Sequence, residues 1–405
     1  MQRENKSAQC LHIYLYIKRG GQKGRPRRRQ TKPSFQLCGS EVVGKCVIVV
    51  TSATMATPLL KQVRLGRSGL KISPIVVGCM SYGSKDWAPW VEDDRGKIFE
   101  ILKYCYDHGL RTYDVADMYS NGLSERLLGE FLAHYKIPRE RVVILTKVYF
   151  PVDEELEMKH GGLEAGSAEA AQQELDLANQ QGLSRKHILA GVEASCGRLG
   201  TYIDVLQLHR LDRETPMEEI MRALNDVVES GKVRYIGAST MRATELADLQ
   251  AIAERRGWHQ FISSQSCYNL LYREDERELI PYLERHGLGM IPWSPNARGI
   301  LCRPAADHAK SQRAKTDPTI KRRAMDHLEA QEVEIIDRVQ EIADKRGTSM
   351  AVVSSAWVLA KGGYPIVGLS SIERVQEILG AAEFKLSEEE VAYLEEPYLP
   401  KKMIL

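Results

Sequence analysis

Alternation between short β-branched runs and longer amphipathic stretches is the feature that most restricts how this chain can fold. From Ile75 onward, a short apolar run is followed by a polar turn and then by a stretch with helical periodicity, and this unit recurs eight times. The candidate strands are residues 74–80, 111–116, 142–147, 202–209, 233–239, 261–265, 289–294 and 365–369. Eight strands joined by helices predict an α/β fold, a closed (β/α)8 TIM barrel built as a single domain.

An open, doubly wound sheet would produce a similar alternation. The main sign of a Rossmann site, Gly-x-Gly-x-x-Gly between a strand and a helix, follows none of the candidate strands. The barrel is therefore the favoured interpretation.

Two long polar segments, residues 148–183 and 295–331, interrupt the repeat. Each follows the C-terminal end of a strand, and barrel active sites lie at that face. Segments of this length are more often binding loops or lids than linkers. We expect both to form long loops over the C-terminal face.

Residues 1–54 differ in composition from the rest, with eleven Lys or Arg against two acidic residues, Glu4 and Glu41. Their apolar runs, residues 11–17 and 47–50, are far shorter than the roughly 20 residues that a membrane-spanning helix needs. A mitochondrial transit peptide is disfavoured because Gly and Pro in RGGQKGRPRRR interrupt any amphipathic helix. We expect a disordered leader or a gene-model extension, with the barrel occupying residues 55–405.

The net charge limits which classes of partner the chain can bind, and the cysteine pattern indicates its compartment. Without the basic leader the chain is about seven charges negative, which argues against nucleic acid because phosphate binding needs clustered cations. The eight cysteines are scattered, with no CxxC pair, and neither HExxH nor an acidic cluster appears. We therefore expect no metal site, no disulfide framework, no membrane span and a reducing compartment, the cytoplasm.

Polar or aromatic side chains stand where five of the candidate strands end: Asp114, Lys147, His209, Gln265 and Trp293–Ser294. Tyr119 follows five residues after Asp114. Because the carboxyl ends of barrel strands meet at one rim, these side chains are expected to converge.

The residue types at this rim suit the reduction of a carbonyl group, which needs a hydride from one side and a proton from the other. Tyr119 is the candidate proton donor. A free phenol titrates near 10, so the ammonium of Lys147 is expected to lower its pKa. Asp114 would hold the lysine charged, and His209 would orient the substrate oxygen.

Each of these residues also has an ordinary structural interpretation when it is taken alone. Tyr119 could lie on a surface turn, Lys147 on the rim and His209 in the core, while Asp114 could cap a helix or a loop. A barrel isomerase or aldolase, with Lys147 as Schiff-base or general-base residue, is a further alternative.

Five segments, in chain order, resemble signatures of the aldo-keto reductase superfamily: DVADMYSNGLSE, LTKV, DVLQLHR, GKVRYIGAS and IPWSPNARG. The resemblance runs from about Lys61 to Pro400. Within the superfamily, GLSRKHI, YNLLYREDERELIPYL and LEEPYLP are similar to fungal reductases typified by versiconal hemiacetal acetate reductase. The family resemblance implies that Asp114, Tyr119, Lys147 and His209 form a catalytic tetrad, with Tyr119 as proton donor and NADPH as cofactor.

The resemblance also implies where the cofactor binds. The nicotinamide would lie near Asp114 and meet Ser239, Thr240 and Gln265, with the ring of Trp293 stacked on its face. The pyrophosphate would be covered by Ser294, Pro295, Asn296, Arg298, Gly299 and Arg303. The adenosine phosphate end would meet Gly368, Ser370, Ser371, Arg374 and Glu377. Two departures from the family pattern stand out: no basic residue lies near Leu369, and Asn296 replaces a common Leu.

The implied function is NADPH-dependent reduction of an aldehyde or ketone, on a secondary metabolite such as a polyketide intermediate. Tyr82, Trp87 and Trp90 could line an apolar substrate pocket or simply pack their loop. The alternative is a non-catalytic nicotinamide-binding subunit, because potassium-channel β-subunits resemble the same family. We expect a monomer or a weak homo-oligomer with a small carbonyl compound as partner.

Overall fold

The computed structural model describes residues 59–156, 160, 168–322 and 327–404. The predicted leader, residues 1–54, lies outside the described residues. The strands are β1 Val63–Arg64, β2 Lys71–Ile72, β3 Val76–Gly78, β4 Thr112–Asp114, β5 Val143–Val148, β6 Ile203–Leu208, β7 Val233–Ser239, β8 Phe261–Gln265, β9 Gly289–Met290 and β10 Ile366–Gly368.

The helices alternate with the strands along the chain. They are α1 Arg95–Asp107, α2 Leu123–His134, α3 Ala168–Asp176, α4 Arg185–Leu199, α5 Met217–Glu229, α6 Ala243–Arg256, α7 Leu279–His286, α8 Gln312–Thr316, α9 Pro318–Arg322, α10 Ala330–Arg346, α11 Met350–Ala360, α12 Ile372–Leu379 and α13 Glu388–Glu395. No helix within the described ranges is both long enough and apolar enough to cross a membrane.

Strands β3 to β10 form one parallel sheet in the order β10-β3-β4-β5-β6-β7-β8-β9. Its two edge strands are joined by backbone hydrogen bonds, from Tyr364 N to the Met290 carbonyl and from Ile366 N to the Pro292 carbonyl, both 2.9 Å. The sheet is thereby closed. The predicted (β/α)8 barrel is confirmed, and all eight candidate strands are present.

The inward side chains change character along each strand. Near the N-terminal end of the barrel they are apolar, as at Leu145, Val205 and Ile291, which share one buried cluster. Because successive inward positions are two residues apart, the next ones are Lys147, Gln207 and Trp293. The period of two therefore places a polar layer directly above an apolar one.

The antiparallel hairpin of β1 and β2, which the sequence analysis did not predict, closes the N-terminal end of the barrel. Leu65 and Ile72 are fully buried within the same apolar cluster as the barrel interior. At the hairpin turn, Gly66 has a φ of 55°, and a Cβ there would meet the Gly287 carbonyl oxygen at 2.4 Å. Only glycine permits this close approach.

The outer layer consists of amphipathic helices that bury one face against the sheet. In α5 the buried positions are Ile220, Met221, Ala223, Leu224 and Val227, the spacing of one helical stripe. Helix α4 is capped at its N-terminus by Ser184, whose hydroxyl accepts a hydrogen bond from His187 N, and at its C-terminus by Gly200, which has a φ of 66°. Both predicted insertions leave the C-terminal ends of strands, β5 and β9.

A buried ion pair ties α2 to the rest of the barrel just beyond Tyr119. Glu125 is fully buried, and its carboxylate accepts hydrogen bonds from Arg198 Nε at 2.7 Å and from the Thr146 hydroxyl at 2.5 Å. Thr146 precedes Lys147 on β5, and Arg198 belongs to α4. This contact therefore fixes the loop that carries Tyr119 against the strand that carries Lys147.

Removing the arginine tests that contact. Arg198→Met leaves the Glu125 carboxylate buried without its counter-charge, so we expect the free energy of unfolding to fall by about 3–5 kcal/mol. Urea denaturation followed by circular dichroism measures this change. Arg222→Met, which breaks the exposed ion pair with Asp226 at 3.0 Å, is the control and should cost under about 1 kcal/mol. Equal effects of the two variants would contradict the assignment.

Candidate active site

The ammonium group of Lys147 lies at the centre of the polar layer. Its Nζ donates to Asp114 Oδ2 at 2.7 Å, to the Val115 carbonyl at 2.9 Å and to the Tyr119 hydroxyl at 3.1 Å. Lys147 is 1% exposed and Asp114 3% exposed. The three N–H groups of the ammonium are thus all used, and the buried positive charge is matched by one carboxylate.

The second oxygen of Asp114 is held by two glutamines. Gln265 Nε2 donates to Asp114 Oδ1 at 2.8 Å and to Gln207 Oε1 at 2.8 Å, and Gln207 Nε2 lies 3.3 Å from the same carboxylate oxygen. Sequence reasoning missed Gln207. The period of a strand would have indicated it, since Gln207 and His209 stand two residues apart and face the same side.

Burial and charge act in opposite directions on Tyr119. Burial raises the pKa of its phenol above the usual 10, and Asp114 adds to the rise, while Lys147 pulls the pKa down without cancelling it. The expected lowering is therefore present but smaller than the effect of burial. For Lys147, burial alone would lower the pKa, but the charge of Asp114 and the hydrogen bonds to Asp114 and Tyr119 raise it. The ammonium thus stays charged.

His209 stands beside Tyr119, with ring centroids 5.9 Å apart and nearly perpendicular. The ring of Phe150 also lies nearly perpendicular to the His209 ring, with the centroids 4.9 Å apart. Burial, followed by the charges of Lys147 and Arg210, lowers the pKa of His209 well below 6.5, so the imidazole is neutral near pH 7. Its Nδ1 is buried and has no hydrogen-bond partner within the described part of the chain.

A cavity of about 920 Å³ opens above these residues at the C-terminal ends of the strands. Sixteen of the predicted site residues line it: Asp114, Tyr119, His209, Ser239, Gln265, Trp293, Ser294, Pro295, Asn296, Arg298, Gly299, Arg303, Gly368, Ser370, Arg374 and Glu377. The other three predicted site residues, Lys147, Thr240 and Ser371, do not line it. Each contacts or caps a residue beside the cavity: Lys147 donates to the Tyr119 hydroxyl, Thr240 accepts from Trp293 Nε1 at 3.2 Å, and Ser371 caps α12.

The donor set at the strand ends fits the carboxamide end of a nicotinamide cofactor. Both amide N–H groups of Gln265 are committed to Asp114 and Gln207, which leaves its carbonyl oxygen able to accept. Ser239 lies at the end of β7, and its hydroxyl contacts the Gln265 carbonyl of the backbone at 2.6 Å. Trp293 presents an aromatic ring to the same end of the cavity.

The segment after β9 has a backbone suited to an anion. Ser294, Ala297 and Arg298 have φ values of 55°, 45° and 56°, and Gly299 has 95°. Ala297 N and Gly299 N donate to the Ser294 and Asn296 carbonyls at 2.9 and 2.8 Å, so an anion here would be met by the other N–H groups of these turns. The structure explains why an asparagine stands at position 296. Asn296 Oδ1 accepts hydrogen bonds from the hydroxyls of two buried residues of α11, Ser354 at 2.7 Å and Ser355 at 3.1 Å.

Cationic side chains occupy the far end of the cavity. Arg374 Nη1 donates to the Ser370 hydroxyl at 2.8 Å, and Arg303 Nε donates to the Gly299 carbonyl at 3.1 Å. Both guanidinium groups keep further donors for a phosphate. The sequence lacks a basic residue near Leu369, where the family pattern often has one, and Arg374 follows about one helical turn later.

The part of the cavity beside Tyr119 is aromatic. Trp87 and Trp90 line it, with ring centroids 6.0 Å apart, and Trp87 lies 6.4 Å from the ring of Tyr119. Tyr82 does not line the cavity; it is buried and its hydroxyl donates to the Leu369 carbonyl. Sequence reasoning missed three residues that line this part of the cavity, Phe150, His160 and Arg313, all of which come from the two long insertions.

Comparison with known proteins adds to this geometry. Residues 74–398 match the model of the aldo/keto reductase family. The chain is 62% identical to a Saccharomyces cerevisiae protein named as an aryl-alcohol dehydrogenase, over 85% of this chain and 98% of that protein. It is 52% identical to versiconal hemiacetal acetate reductase of Aspergillus parasiticus, over 84% of this chain and 98% of the relative.

A third relative, an aldo-keto reductase of Alternaria alternata, is 45% identical over 83% of this chain and 90% of its own length. The family model covers the barrel from its first strand to beyond α13, and the relatives are matched over nearly their full lengths. The chain therefore belongs to the aldo/keto reductase family and is an oxidoreductase.

Proposed function

We propose that the protein reduces an aldehyde or ketone to an alcohol with NADPH, using Tyr119 as the proton donor. The observation that carries this proposal is the Tyr119 hydroxyl, 3.1 Å from Lys147 Nζ and facing the cavity above the buried Lys147–Asp114 pair. A phenol in this position can donate a proton into the cavity while its developing negative charge is met by an ammonium.

NADPH, when bound, supplies a hydride to the carbonyl carbon of the substrate. The substrate oxygen then takes the proton of the Tyr119 hydroxyl, and the phenolate left behind is stabilised by Lys147. Asp114 keeps Lys147 charged and in place. Because His209 is neutral, it can hydrogen-bond the carbonyl oxygen without repelling the lysine, which supports a role in orienting the substrate.

The preference for NADPH rests on Arg374 and Arg303. Arg374 lines the end of the cavity assigned to the adenosine phosphate, and Arg303 lines the part assigned to the pyrophosphate; a guanidinium fork matches the oxygens of a 2′-phosphate. The negative Glu377 lies in the same wall. The two positive charges of the arginines exceed the single negative charge of Glu377, and this excess favours a ribose that carries a phosphate over one that does not.

The substrate class follows from the aromatic wall and from the relatives. Trp87, Trp90 and Phe150 suit a flat, aromatic carbonyl compound. Relatives are named for an aryl alcohol and for versiconal hemiacetal acetate, so we propose an aromatic or polyketide-derived carbonyl compound of secondary metabolism as the substrate.

For the compartment we propose the cytoplasm, which is reducing. Cys79 and Cys105 are buried free thiols, which supports this proposal. For the oligomeric state we propose a monomer or a weak homo-oligomer.

Removing one hydroxyl tests the proton donor. We expect Tyr119→Phe to lower kcat by about 10²- to 10⁴-fold, with an unchanged Kd for NADPH, because the ring stays and only the acid is lost. Stopped-flow absorbance and tryptophan quenching measure the two quantities. Tyr149→Phe is the control and should leave kcat unchanged.

Unaltered turnover in Tyr119→Phe would overturn the mechanism. Absence of turnover in the wild type, together with tight NADPH binding, would favour the non-catalytic subunit. If borohydride traps a substrate adduct on Lys147, the protein is instead an aldolase or isomerase of the Schiff-base type.

The pKa directions predict the pH profile. Tyr119 donates only while protonated, and its raised pKa keeps it protonated beyond the usual 10, so reduction should be lost only as the pH rises above that value. His209 has a pKa well below 6.5 and stays neutral above it. We expect kcat/KM to be level from about pH 6.5 to about pH 10. A loss centred near pH 8 would assign proton donation to another group.

The cofactor preference is tested at Arg374. We expect Arg374→Met to raise KM for NADPH about tenfold and to leave KM for NADH unchanged, because only NADPH carries the 2′-phosphate. Initial rates with both cofactors give these constants. A parallel rise for both cofactors would show that Arg374 supports the fold of this region rather than the phosphate.

A further inference from the structure

The second insertion places a buried carboxylate next to the cavity. Asp317 accepts hydrogen bonds from Arg298 Nη1 at 2.5 Å and from Arg313 Nε at 3.1 Å, and His160 Nε2 lies 3.5 Å from its other oxygen. Burial by itself would raise the pKa of Asp317, but His160, Arg298 and Arg313 together hold it far below the usual range. The carboxylate is therefore ionised.

This cluster carries more positive than negative charge. Arg298 and Arg313 both pair with Asp317, and within the described residues neither forms an ion pair with any other carboxylate. Burial, followed by repulsion from Arg298, lowers the pKa of Arg313 to about 10, so it keeps its charge at neutral pH. Two guanidinium groups therefore share one carboxylate beside the cavity.

Arg313 continues the aromatic wall that begins at Tyr119. Its guanidinium carbon lies 4.3 Å from the centre of the Trp90 ring, Trp90 contacts Trp87, and Trp87 contacts Tyr119. All four side chains line the cavity. The terminal nitrogens of Arg313 donate no hydrogen bond to any residue in the described ranges, since its one side-chain hydrogen bond is made by Nε.

Three further polar atoms at this end are buried without a hydrogen-bond partner in the described part of the chain: Trp90 Nε1, His160 Nδ1 and Arg298 Nε. A buried donor left unpaired is destabilising. Trp90 Nε1 and Arg298 Nε are donors that can only give a hydrogen bond. Within the described residues, Trp90 Nε1 and the terminal nitrogens of Arg313 therefore lack an acceptor, and a guanidinium favours one that is negative.

We propose that Arg313 selects substrates that carry a carboxylate. In this arrangement, which rests on the proposed reductase function, the aromatic ring of the substrate packs against Trp87 and Trp90. Its carbonyl group faces Tyr119, and its carboxylate pairs with the guanidinium of Arg313 at the opposite end. A bidentate pair between guanidinium and carboxylate supplies both attraction and a fixed direction.

The test compares an anionic aldehyde with its neutral ester. Wild type is assayed with 3- and 4-carboxybenzaldehyde and with the corresponding methyl formylbenzoates. We expect kcat/KM to favour one of the acids over its ester by about tenfold or more, the ratio that one charge-assisted hydrogen bond gives. Arg313→Met should remove this preference by lowering kcat/KM for the acid alone, and Arg313→Lys should restore part of it.

Lys315→Met, on the exposed side of the same short helix, is the matched control and should leave kcat/KM for both the acid and the ester unchanged. Equal losses for acid and ester in Arg313→Met would overturn the proposal, because Arg313 would then only fasten the insertion. Equal rates for acid and ester in the wild type would overturn it as well, while leaving the reductase function in place.

Failure of the wild type to reduce any of these aldehydes would count against the proposed function instead. The Arg313 site is then tested by binding alone, with 3- and 4-(hydroxymethyl)benzoate as probes and the fluorescence of Trp87 and Trp90 as signal. Weaker binding of these carboxylates to Arg313→Met than to wild type supports the site. Identical binding overturns it.

Discussion

The buried ammonium of Lys147 is the interaction on which the rest of the site depends. A charge removed from water costs several kcal/mol unless it is paired and fully hydrogen-bonded, and here Asp114, the Val115 carbonyl and the Tyr119 hydroxyl meet all three of its protons. That requirement fixes three segments of chain relative to one another. It also explains why Gln207 and Gln265 surround the remaining oxygen of Asp114, which would otherwise be left unpaired.

The barrel makes such a charge possible because its inward positions are layered. Below Lys147 the interior is apolar, from Leu145 to the hairpin residue Leu65, and above it the cavity begins. Water is thus excluded on one side and admitted on the other. The phenol of Tyr119 sits at this boundary, where burial keeps it protonated and a substrate can still reach it.

Much of this arrangement could be predicted from the sequence, because it depends on periodicity and on chain order. Eight strand patterns gave the barrel, and the residues at strand ends gave Asp114, Lys147, His209 and Trp293 as neighbours on one rim. Other features have no local signal. The partners of the insertions, such as Asp317 with Arg298 and Arg313, are set by contacts across the cavity, and Tyr82 lies in the core although its neighbours Trp87 and Trp90 line the cavity.

The sequence by itself determined the family, the barrel and the identity of the polar side chains at the strand ends, since a period of two and the order of strands suffice to place them. Only the tertiary structure decided the protonation behaviour of Tyr119 and His209, because burial depends on what packs around a residue and not on its neighbours in the chain. For the same reason, only the tertiary structure placed Arg313 beside the aromatic wall: that position is set by segments far apart in sequence that meet only when the barrel closes.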